Sequence, residues 1–195
     1  YWMVPRMELF RAALPDVDLR IQTSDRDLDL VGEGIPLGVR GGYPTDWPAC
    51  QTEVLAPERI YPVCSAAHLD RFGPVDGPRD LLDLPLIHLE EPFRSATTWQ
   101  DWFAAQGIAA SSVPRGLQIN DYVLVVQSVI EGQGIALGWD HLIEGLVRKR
   151  VLARLTGQVL ATGKDFHVIW PRAVPLSQPA AKVRDWLLDQ RTPSA

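Results

Sequence analysis

The stretch that decides the fold is Ile119–Trp139, with the sequence INDYVLVVQSVIEGQGIALGW. Its pattern predicts the end of a strand, a polar Asn120-Asp121 pair, an apolar helix, a turn at Gly132-Gln133-Gly134 and a buried strand. Free backbone N–H groups at the start of such a helix favour a polar or anionic ligand. The stretch holds no nucleophile–base pair and no metal cluster, so it favours a small-molecule sensor.

Strands and helices alternate along the rest of the chain, which is typical of an α/β protein. Val17–Thr23 alternates apolar and polar residues, Thr23-Ser24-Asp25 can cap a short helix to Leu30, and Ile35–Arg40 follows as a strand. This spacing predicts a βαβ unit with parallel strands. The other predicted strands are Gln51–Leu55, Arg59–Cys64, Leu86–Leu89, Val113–Ile119, Arg150–Leu155 and Phe166–Trp170, with a turn at Gly163. The other predicted helices are Val4–Ala13, a short one capped by Ser65, Ala96–Gln106, His141–Val147 and Gln178–Gln190, the last with Ala180, Val183, Trp186 and Leu187 buried.

The chain has 195 residues, of which 46% are hydrophobic and 22% charged, as in ordinary globular proteins. This length suits one large domain or two small lobes, and the interrupted strands favour two lobes. No apolar run approaches the ~20 residues of a membrane span, and the first residues lack a signal-peptide pattern. Because the chain does not begin with Met, we expect a fragment or a processed product.

Charge and cysteine content exclude some classes of function. Net charge is −5, with 19 basic and 24 acidic residues, whereas a surface that holds phosphates is usually basic. We therefore do not expect these residues to bind DNA themselves. Cys50 and Cys64 are too few for a disulfide framework and favour a reducing cytoplasm, although a redox pair or one disulfide stays open as an alternative.

The sequence gives no support for catalysis. It contains no G-x-S-x-G, H-E-x-x-H or Cys-x-x-Cys motif, and its four histidines are scattered, so we expect no triad, metal or cofactor. Gly32-x-Gly34 and Gly132-x-Gly134 are most simply helix ends. His167 in a core strand is most simply structural. His88 ends a short strand, so a ligand role and a structural role both stay open.

Two predicted helix starts are candidate ligand contacts. Asp121 would repel an anion beside Asn120, so Thr23-Ser24 is the better site for a carboxylate. Arg40, directly before Gly41-Gly42, is the best fixed cation for an acidic group. Plain capping with no ligand role stays open for Thr23, Ser24 and Asn120.

Taken in order, eight segments resemble the effector-binding domain of LysR-type transcriptional regulators, in particular the glycine-cleavage activator and β-lactamase regulators. The segments are WMVPRMELFRAALPDVDLRI, TSDR, LVGEGIPLGVRGG, TDWPACQTEVLAPERIYPVCSAAHL, PRDLLDLPLIHLE, TTWQDWFAAQG, INDYVLVVQSVIEGQGIALGW and AKVRDWLLDQ. Each is loose alone, but their order and spacing are fairly specific and cover nearly all residues.

The resemblance implies an α/β fold of two Rossmann-like lobes joined by a hinge, as in type 2 periplasmic binding proteins. Lobe one would hold residues 1–61 and 167–195, and lobe two residues 62–166. The connecting strands would cross near Ile60–Val63 and Asp165–Val168. We expect the family's first strand of lobe one, which precedes Tyr1, and its N-terminal helix-turn-helix domain to be missing from this chain.

The resemblance also implies where a small polar or anionic effector binds, in the cleft between the lobes. The implied contacts in lobe one are Thr23, Ser24, Arg40, Gly41 and Gly42. Those in lobe two are Ser65, His88 and Asn120, with Asp121 and Gly138 near them.

The implied partners are a second copy and, indirectly, DNA. Trp2–Ala13 would pack against Tyr122–Ile130 of the partner copy, which gives a homodimer or homotetramer. Promoter DNA would be bound only through the missing helix-turn-helix domain, and no membrane is involved. We therefore expect a non-enzymatic regulatory domain in a bacterial cytoplasm. The alternative is a free-standing solute-binding protein for transport, which would have to be exported.

Overall fold

The computed structural model of the chain describes residues 1–191 apart from 25, 27, 74, 91–95, 110 and 112. The α-helices in this part of the chain are α1 (Met7–Ala13), α2 (Trp99–Ala105), α3 (Tyr122–Ile130), α4 (Asp140–Arg148) and α5 (Gln178–Asp189). The strands are β1 (Gly38–Gly42), β2 (Cys50–Ser65), β3 (Leu86–Leu89), β4 (Leu117–Ile119), β5 (Ile135–Trp139), β6 (Leu152–Arg154) and β7 (Leu160–Pro171). Short 3-10 helices lie at Val4–Arg6, Pro44–Asp46, Ala66–Phe72 and Pro78–Asp83. Among these described elements, no helix has the length and apolar character needed to cross a membrane.

The chain divides into two compact units. We call Tyr1 and Arg59–Leu160 the central unit, and Trp2–Glu58 with Ala161–Ala195 the terminal unit. The chain passes from one unit to the other within β2 and again within β7. The predicted lobe boundaries, 61/62 and 166/167, lie a few residues after these two points.

The sheet of the central unit is built around β5. This strand pairs in parallel with β3, with Leu86 opposite Ile135, and β3 pairs in parallel with β4, with His88 opposite Gln118. On its other side β5 runs antiparallel to β2, which also pairs with β6. The carboxyl ends of β3, β4 and β5 therefore lie at one edge of the sheet.

Helix α3 covers this sheet and forms for local reasons. Val125, Val126 and Val129 lie on one face and are buried against the sheet. The Asp121 carboxylate accepts the backbone N–H of Leu124 at 2.9 Å, which caps the first turn. Gly132, with φ of +72°, follows the last turn. The strand–helix–strand unit predicted from Ile119–Trp139 is therefore confirmed.

The terminal unit packs α1 and α5 through aromatic contacts. Phe10 and Trp186 meet edge to face, with ring centroids 5.1 Å apart, and both are buried. The predicted buried stripe of α5 is confirmed, and Ser177 caps the helix by accepting the N–H of Ala180. Strand β1 pairs antiparallel with β7, which places Arg40 opposite His167.

The predicted βαβ unit near the start of the chain is wrong. Val17–Thr23 forms no strand, and the described residues after Ser24 form turns rather than a helix, while Asp25 lies outside the described residues. An alternating apolar–polar pattern forms a strand only where the backbone can hydrogen-bond to a neighbouring strand, and no described strand pairs with this segment. The Asp29 carboxylate accepts the N–H of Val31 at 3.1 Å, and such a side-chain bond favours a turn over a helix.

Three smaller expectations are also corrected. Gln51–Leu55 and Arg59–Cys64 belong to one continuous strand, because Pro57 fits an extended backbone and removes only its own N–H from the ladder. Gly163 lies inside β7 with φ of +79° instead of ending the strand. The helix after Ser65 is a 3-10 helix, and the Ser65 side chain does not cap it.

Helix α4 ends in a Schellman motif with an unusual residue at its left-handed position. The N–H of Val151 donates to the carbonyl of Leu146 at 2.9 Å, and that of Arg150 to Val147 at 3.0 Å. Arg150 adopts φ of +57°, where glycine is the usual residue. A side chain in this conformation costs about 1–2 kcal/mol.

Arg150→Gly should therefore raise the free energy of unfolding by about 0.5–1 kcal/mol, since the relief of strain exceeds the entropy cost of glycine. The matched control is Lys149→Gly, at a neighbouring position with φ of −80°, which should lower the stability. Urea unfolding followed by circular dichroism measures both. Equal effects of the two substitutions would contradict the role of the backbone angle.

Candidate functional site

A cavity of about 170 Å³ lies in the central unit, at the edge where β3, β4 and β5 end. Its described lining is Ile87, His88, Leu89, Glu90, Thr97, Thr98, Trp99, Gln100, Gln118, Val125, Ala136, Leu137 and Trp139. In open α/β sheets, ligands bind beyond the carboxyl ends of the strands. A cavity of ~150 Å³ accepts benzene, so this one suits a small ligand or one group of a larger ligand.

Two tryptophans form a fixed aromatic part of the lining. The Trp99 indole N–H donates to the carbonyl of Ile87 at 2.9 Å, and its ring stacks on Phe103 at 5.5 Å between centroids. Trp139 meets Tyr122 edge to face at 5.1 Å. These contacts hold both indoles in place before any ligand arrives, which reduces the entropy cost of binding.

His88 is the polar lining residue with the clearest chemical role. Its Nε2 atom is buried and has no hydrogen-bond partner among the described residues. Burial lowers the pKa of His88, although the Pro114 backbone and the Glu90 carboxylate act in the opposite direction. The ring is therefore neutral near pH 7 and offers a ligand a hydrogen-bonding nitrogen.

Thr98 lines the cavity but is already committed to the start of α2. Its Oγ1 donates to the Asp101 carboxylate at 2.7 Å and accepts the Asp101 N–H at 3.2 Å. This capping box fixes the helix turn that carries Trp99. Thr98 therefore positions the lining more than it offers hydrogen bonds to a ligand.

The other central-unit residues named from the sequence do not line the described cavity. Ser65 is buried, with its Oγ 3.1 Å from His68 Nδ1. Asn120 is exposed, and the cap of α3 is Asp121 rather than Asn120, for which capping was the alternative. Gly138 is buried in β5, where an added Cβ would lie 2.3 Å from Ile143 Cδ1 and 3.1 Å from both Val63 methyl groups, so close packing favours glycine there.

In the terminal unit, Arg40 is the cation among the predicted contacts, and the structure ties it to the preceding loop. Its Nη2 atom donates to the carbonyl of Leu28 at 2.7 Å. Ser24 Oγ forms a local turn, since it accepts the N–H of Arg26 at 3.0 Å. Thr23 is exposed. Among the residues described after Ser24 no helix begins, so the helix start on which the carboxylate site at Thr23-Ser24 was predicted is not found there. Arg40 then carries the electrostatic argument for an acidic ligand.

Gly41 and Gly42 end β1, and Gly42 lies beside Trp47. An added Cβ on Gly42 would lie 2.7 Å from the Asp46 carboxylate and 3.1 Å from Trp47, and its φ is +150°. Asp46 in turn accepts the N–H of Tyr43 at 2.8 Å. The glycine at 42 is therefore required by close packing, and its backbone lies next to Arg40.

His167 is buried beside this segment, with 1% of its surface exposed. Its ring lies 5.8 Å from Trp47, and neither ring nitrogen makes a hydrogen bond within the described part of the chain. Burial lowers its pKa, while Asp165, the Gly42 backbone and Asp46 act in the opposite direction. His167 is therefore a neutral core residue at pH 7, in line with its structural interpretation.

Several residues with a part in these surroundings were missed by sequence reasoning. Gln118 enters the cavity lining because β4 aligns it with His88, a register that no local pattern reveals. Trp139 could have been found, because it ends the buried strand IALGW.

Both cysteines are free thiols, and burial raises the pKa of Cys64 to about 11, so the alternative of a disulfide between them is not present.

Comparison of the sequence with protein families gives a match to the LysR substrate binding domain over residues 1–192. The glycine cleavage system transcriptional activator of Escherichia coli K12 is 28% identical over 188 residues, 96% of this chain and 60% of that protein. The HTH-type transcriptional activator AmpR of Rhodobacter capsulatus is 28% identical over 97% of this chain and 62% of that protein. The chain thus spans about three fifths of the length of these curated relatives.

Solved structures show the same fold. The effector domain of the transcriptional regulator AmpR of Pseudomonas aeruginosa has a TM-score of 0.78 at 22% identity and covers 97% of this chain and 88% of that one. The regulatory domain of CrgA from Neisseria meningitidis also has a TM-score of 0.78, at 17% identity, and covers 97% and 92%. The predicted fold class, α/β and like periplasmic binding proteins, is confirmed.

The neutral state of His167 predicts a loss of stability in mild acid. Above about pH 6.5 the residue is neutral in both states, and below it only the unfolded chain binds the proton until the lowered folded pKa is reached. Stability should therefore fall as the pH drops below about 6.5, and His88 contributes in the same direction. His167→Phe should remove the part of this pH-dependent loss of stability that comes from His167. Urea unfolding of the natural protein and of His167→Phe at pH 7.5 and 5.5 measures this contribution. An equal loss of unfolding free energy between the two pH values in both proteins would contradict the prediction.

Proposed function

The chain belongs to the LysR substrate binding domain family, and on this premise we propose that it is the effector-sensing part of a LysR-type transcription regulator. The observation that carries the proposal is the match over residues 1–192, a range that includes the cavity-bearing unit. The relatives named above are transcription regulators rather than enzymes, which confirms the non-enzymatic prediction. They also favour regulation over the transport alternative.

The proposed effector is small and polar or anionic. In the central unit it would contact His88 through the free ring nitrogen and the two indoles of the cavity. In the terminal unit it would contact Arg40 and the backbone of Gly41 and Gly42. The remaining proposed contacts are Thr23, Ser24, Asn120 and Asp121, and Ser65 and Gly138 are proposed to shape the site through their packing. The terminal and central units are proposed to be regulatory subdomains I and II.

We also propose that the chain pairs with a second copy. Val4 and Leu9, near and on α1, have 72% and 61% of their surface exposed, and Val123 and Leu124 on α3 have 54% and 56%. Exposed apolar residues grouped on two helices favour burial against a partner. The proposed homodimer or homotetramer packs Trp2–Ala13 of one copy against Tyr122–Ile130 of the other.

Promoter DNA is proposed to be bound by another part of the protein. Several relatives are named HTH-type regulators, and this chain spans only part of their length. The net charge of −5 favours a separate DNA-binding domain. The proposed location is the bacterial cytoplasm, which fits the two free thiols.

Calorimetric titration with amino acids, small organic acids and cell-wall fragments tests effector binding. Gln118→Trp should weaken binding at least tenfold, because Gln118 is exposed at the cavity and a bulky ring there fills the space. Arg40→Ala should weaken an acidic effector by about 1.5–3 kcal/mol through loss of a charge-assisted hydrogen bond.

Two controls make this titration specific. Gln158→Trp places the same ring at an exposed position outside the cavity lining and should leave the affinity unchanged. The neutral amide of an acidic effector should bind Arg40→Ala and the natural protein with equal affinity. A weaker affinity of Arg40→Ala for the amide as well would indicate that the substitution loosens the loop at Leu28, rather than only removing a charge. A panel in which no compound binds, or variants that bind as well as the natural chain, would overturn the assignment.

Leu124→Asp should convert the paired chain to a monomer, because a carboxylate would be buried without a partner at the proposed contact. Sedimentation velocity over a range of concentrations measures the change. Val31→Asp is the control, since Val31 is similarly exposed, at 54% against 56% for Leu124, but lies outside both helices. An unchanged association state in Leu124→Asp would remove α3 from the interface.

A further inference from the structure

We propose that Tyr122 couples the cavity of the central unit to the exposed surface of α3, so that filling the cavity changes self-association. We call Val123 and Leu124 the α3 surface. The inference rests on the pairing proposed above for this surface. It adds the route by which a ligand acts, and that route consists of contacts within the central unit alone.

The first step is the contact between Tyr122 and the cavity lining. The Tyr122 hydroxyl accepts the backbone N–H of Trp139 at 3.1 Å, and the two rings meet edge to face at 5.1 Å and 86°. Trp139 is the last residue of β5 and lines the cavity. Burial raises the pKa of Tyr122, so the phenol stays protonated. A displacement of Trp139 is therefore transmitted to Tyr122 through two contacts.

The second step is the position of Tyr122 in α3. It is the first residue of the helix, and the α3 surface follows it directly. The Asp121 carboxylate caps Leu124, and the Tyr1 hydroxyl donates to the carbonyl of Val123 at 3.2 Å. Backbone hydrogen bonds make one helical turn move as a unit. A shift at Tyr122 therefore moves the α3 surface.

A third observation places α3 itself in the cavity lining. Val125, one residue beyond the α3 surface, lines the cavity and is buried in the core beneath the helix. A ligand in the cavity thus touches the helix at Val125 and reaches its first residue through Trp139. Because well-packed cores adopt discrete arrangements, a small change at two points of one turn reorients the turn as a whole.

The opposite side of Trp139 is anchored. Asp140, the next residue, accepts the Tyr61 hydroxyl at 2.6 Å and the Arg154 guanidinium at 3.0 Å. These bonds hold the start of α4 to β2 and β6. Because this side is anchored, we expect a displacement of Trp139 to move Tyr122. The anchor also supplies a control, since Tyr61 is a second tyrosine whose hydroxyl forms a hydrogen bond next to Trp139, with Asp140.

A double-mutant cycle on the dimer dissociation constant tests the coupling without an identified effector. Gln118→Trp serves as a built-in occupant of the cavity. In the natural background it should change the dissociation constant about fivefold or more, at the lower end of typical allosteric couplings. In the Tyr122→Phe background, which lacks the hydroxyl, the change should be less than about twofold. In the Tyr61→Phe background the change caused by Gln118→Trp should equal the change in the natural background.

The outcomes of the sedimentation experiment distinguish failure of the pairing proposal from failure of this inference. A natural chain that stays monomeric at every concentration overturns the pairing proposal and this inference with it. A natural dimer in which Gln118→Trp has the same effect with and without the Tyr122 hydroxyl overturns this inference alone. Trp139→Phe is a second variant, since it keeps the N–H that Tyr122 accepts and shortens the ring at the cavity. It should also reduce the effect of Gln118→Trp, and an undiminished effect would count against the route.

Discussion

The parallel alignment of β3, β4 and β5 is the constraint on which the candidate site depends. Parallel strands need a crossover connection, and α3 supplies it between β4 and β5, which lie on either side of β3. The crossover buries its valines on the sheet and leaves its first turn above the strand ends. One packing arrangement thus creates the cavity edge, brings His88 beside Gln118 and places Trp139 under the helix.

The sequence predicts well those elements whose pattern is local. The buried stripe of α5, the apolar face of α3 and the glycine turn before Ile135 all follow from spacings of a few residues. Val17–Thr23 has an equally clear alternating pattern and forms no strand, because a strand also needs a partner that is distant in sequence. Arg40 lies on a strand as predicted, yet its antiparallel pairing with β7 depends on a contact across more than a hundred residues.

The same distinction explains the site. His88 ends a short apolar strand, and this local signal was enough to name it as a candidate. Gln118 and Trp99 reach the lining through sheet register and helix packing, which carry no local signal. For Thr23 and Ser24 the local pattern predicts a helix start that the described residues do not contain, and the resemblance to the family remains their other ground. For the residues carried over from the family, the resemblance gives positions along the chain, whereas side-chain direction depends on the packing of this particular sequence.

The two indoles of the lining have an optical consequence. Trp99 and Trp139 are two of the seven tryptophans of the chain, both almost fully buried, and both face the same small volume. Indole emission depends on the polarity around the ring and is quenched by groups that make contact with it. The Trp99 N–H donates to a backbone carbonyl, so water has little access to it. A change in native fluorescence on binding therefore reports on this space, over the emission of the other five tryptophans, and no label has to be attached to the protein.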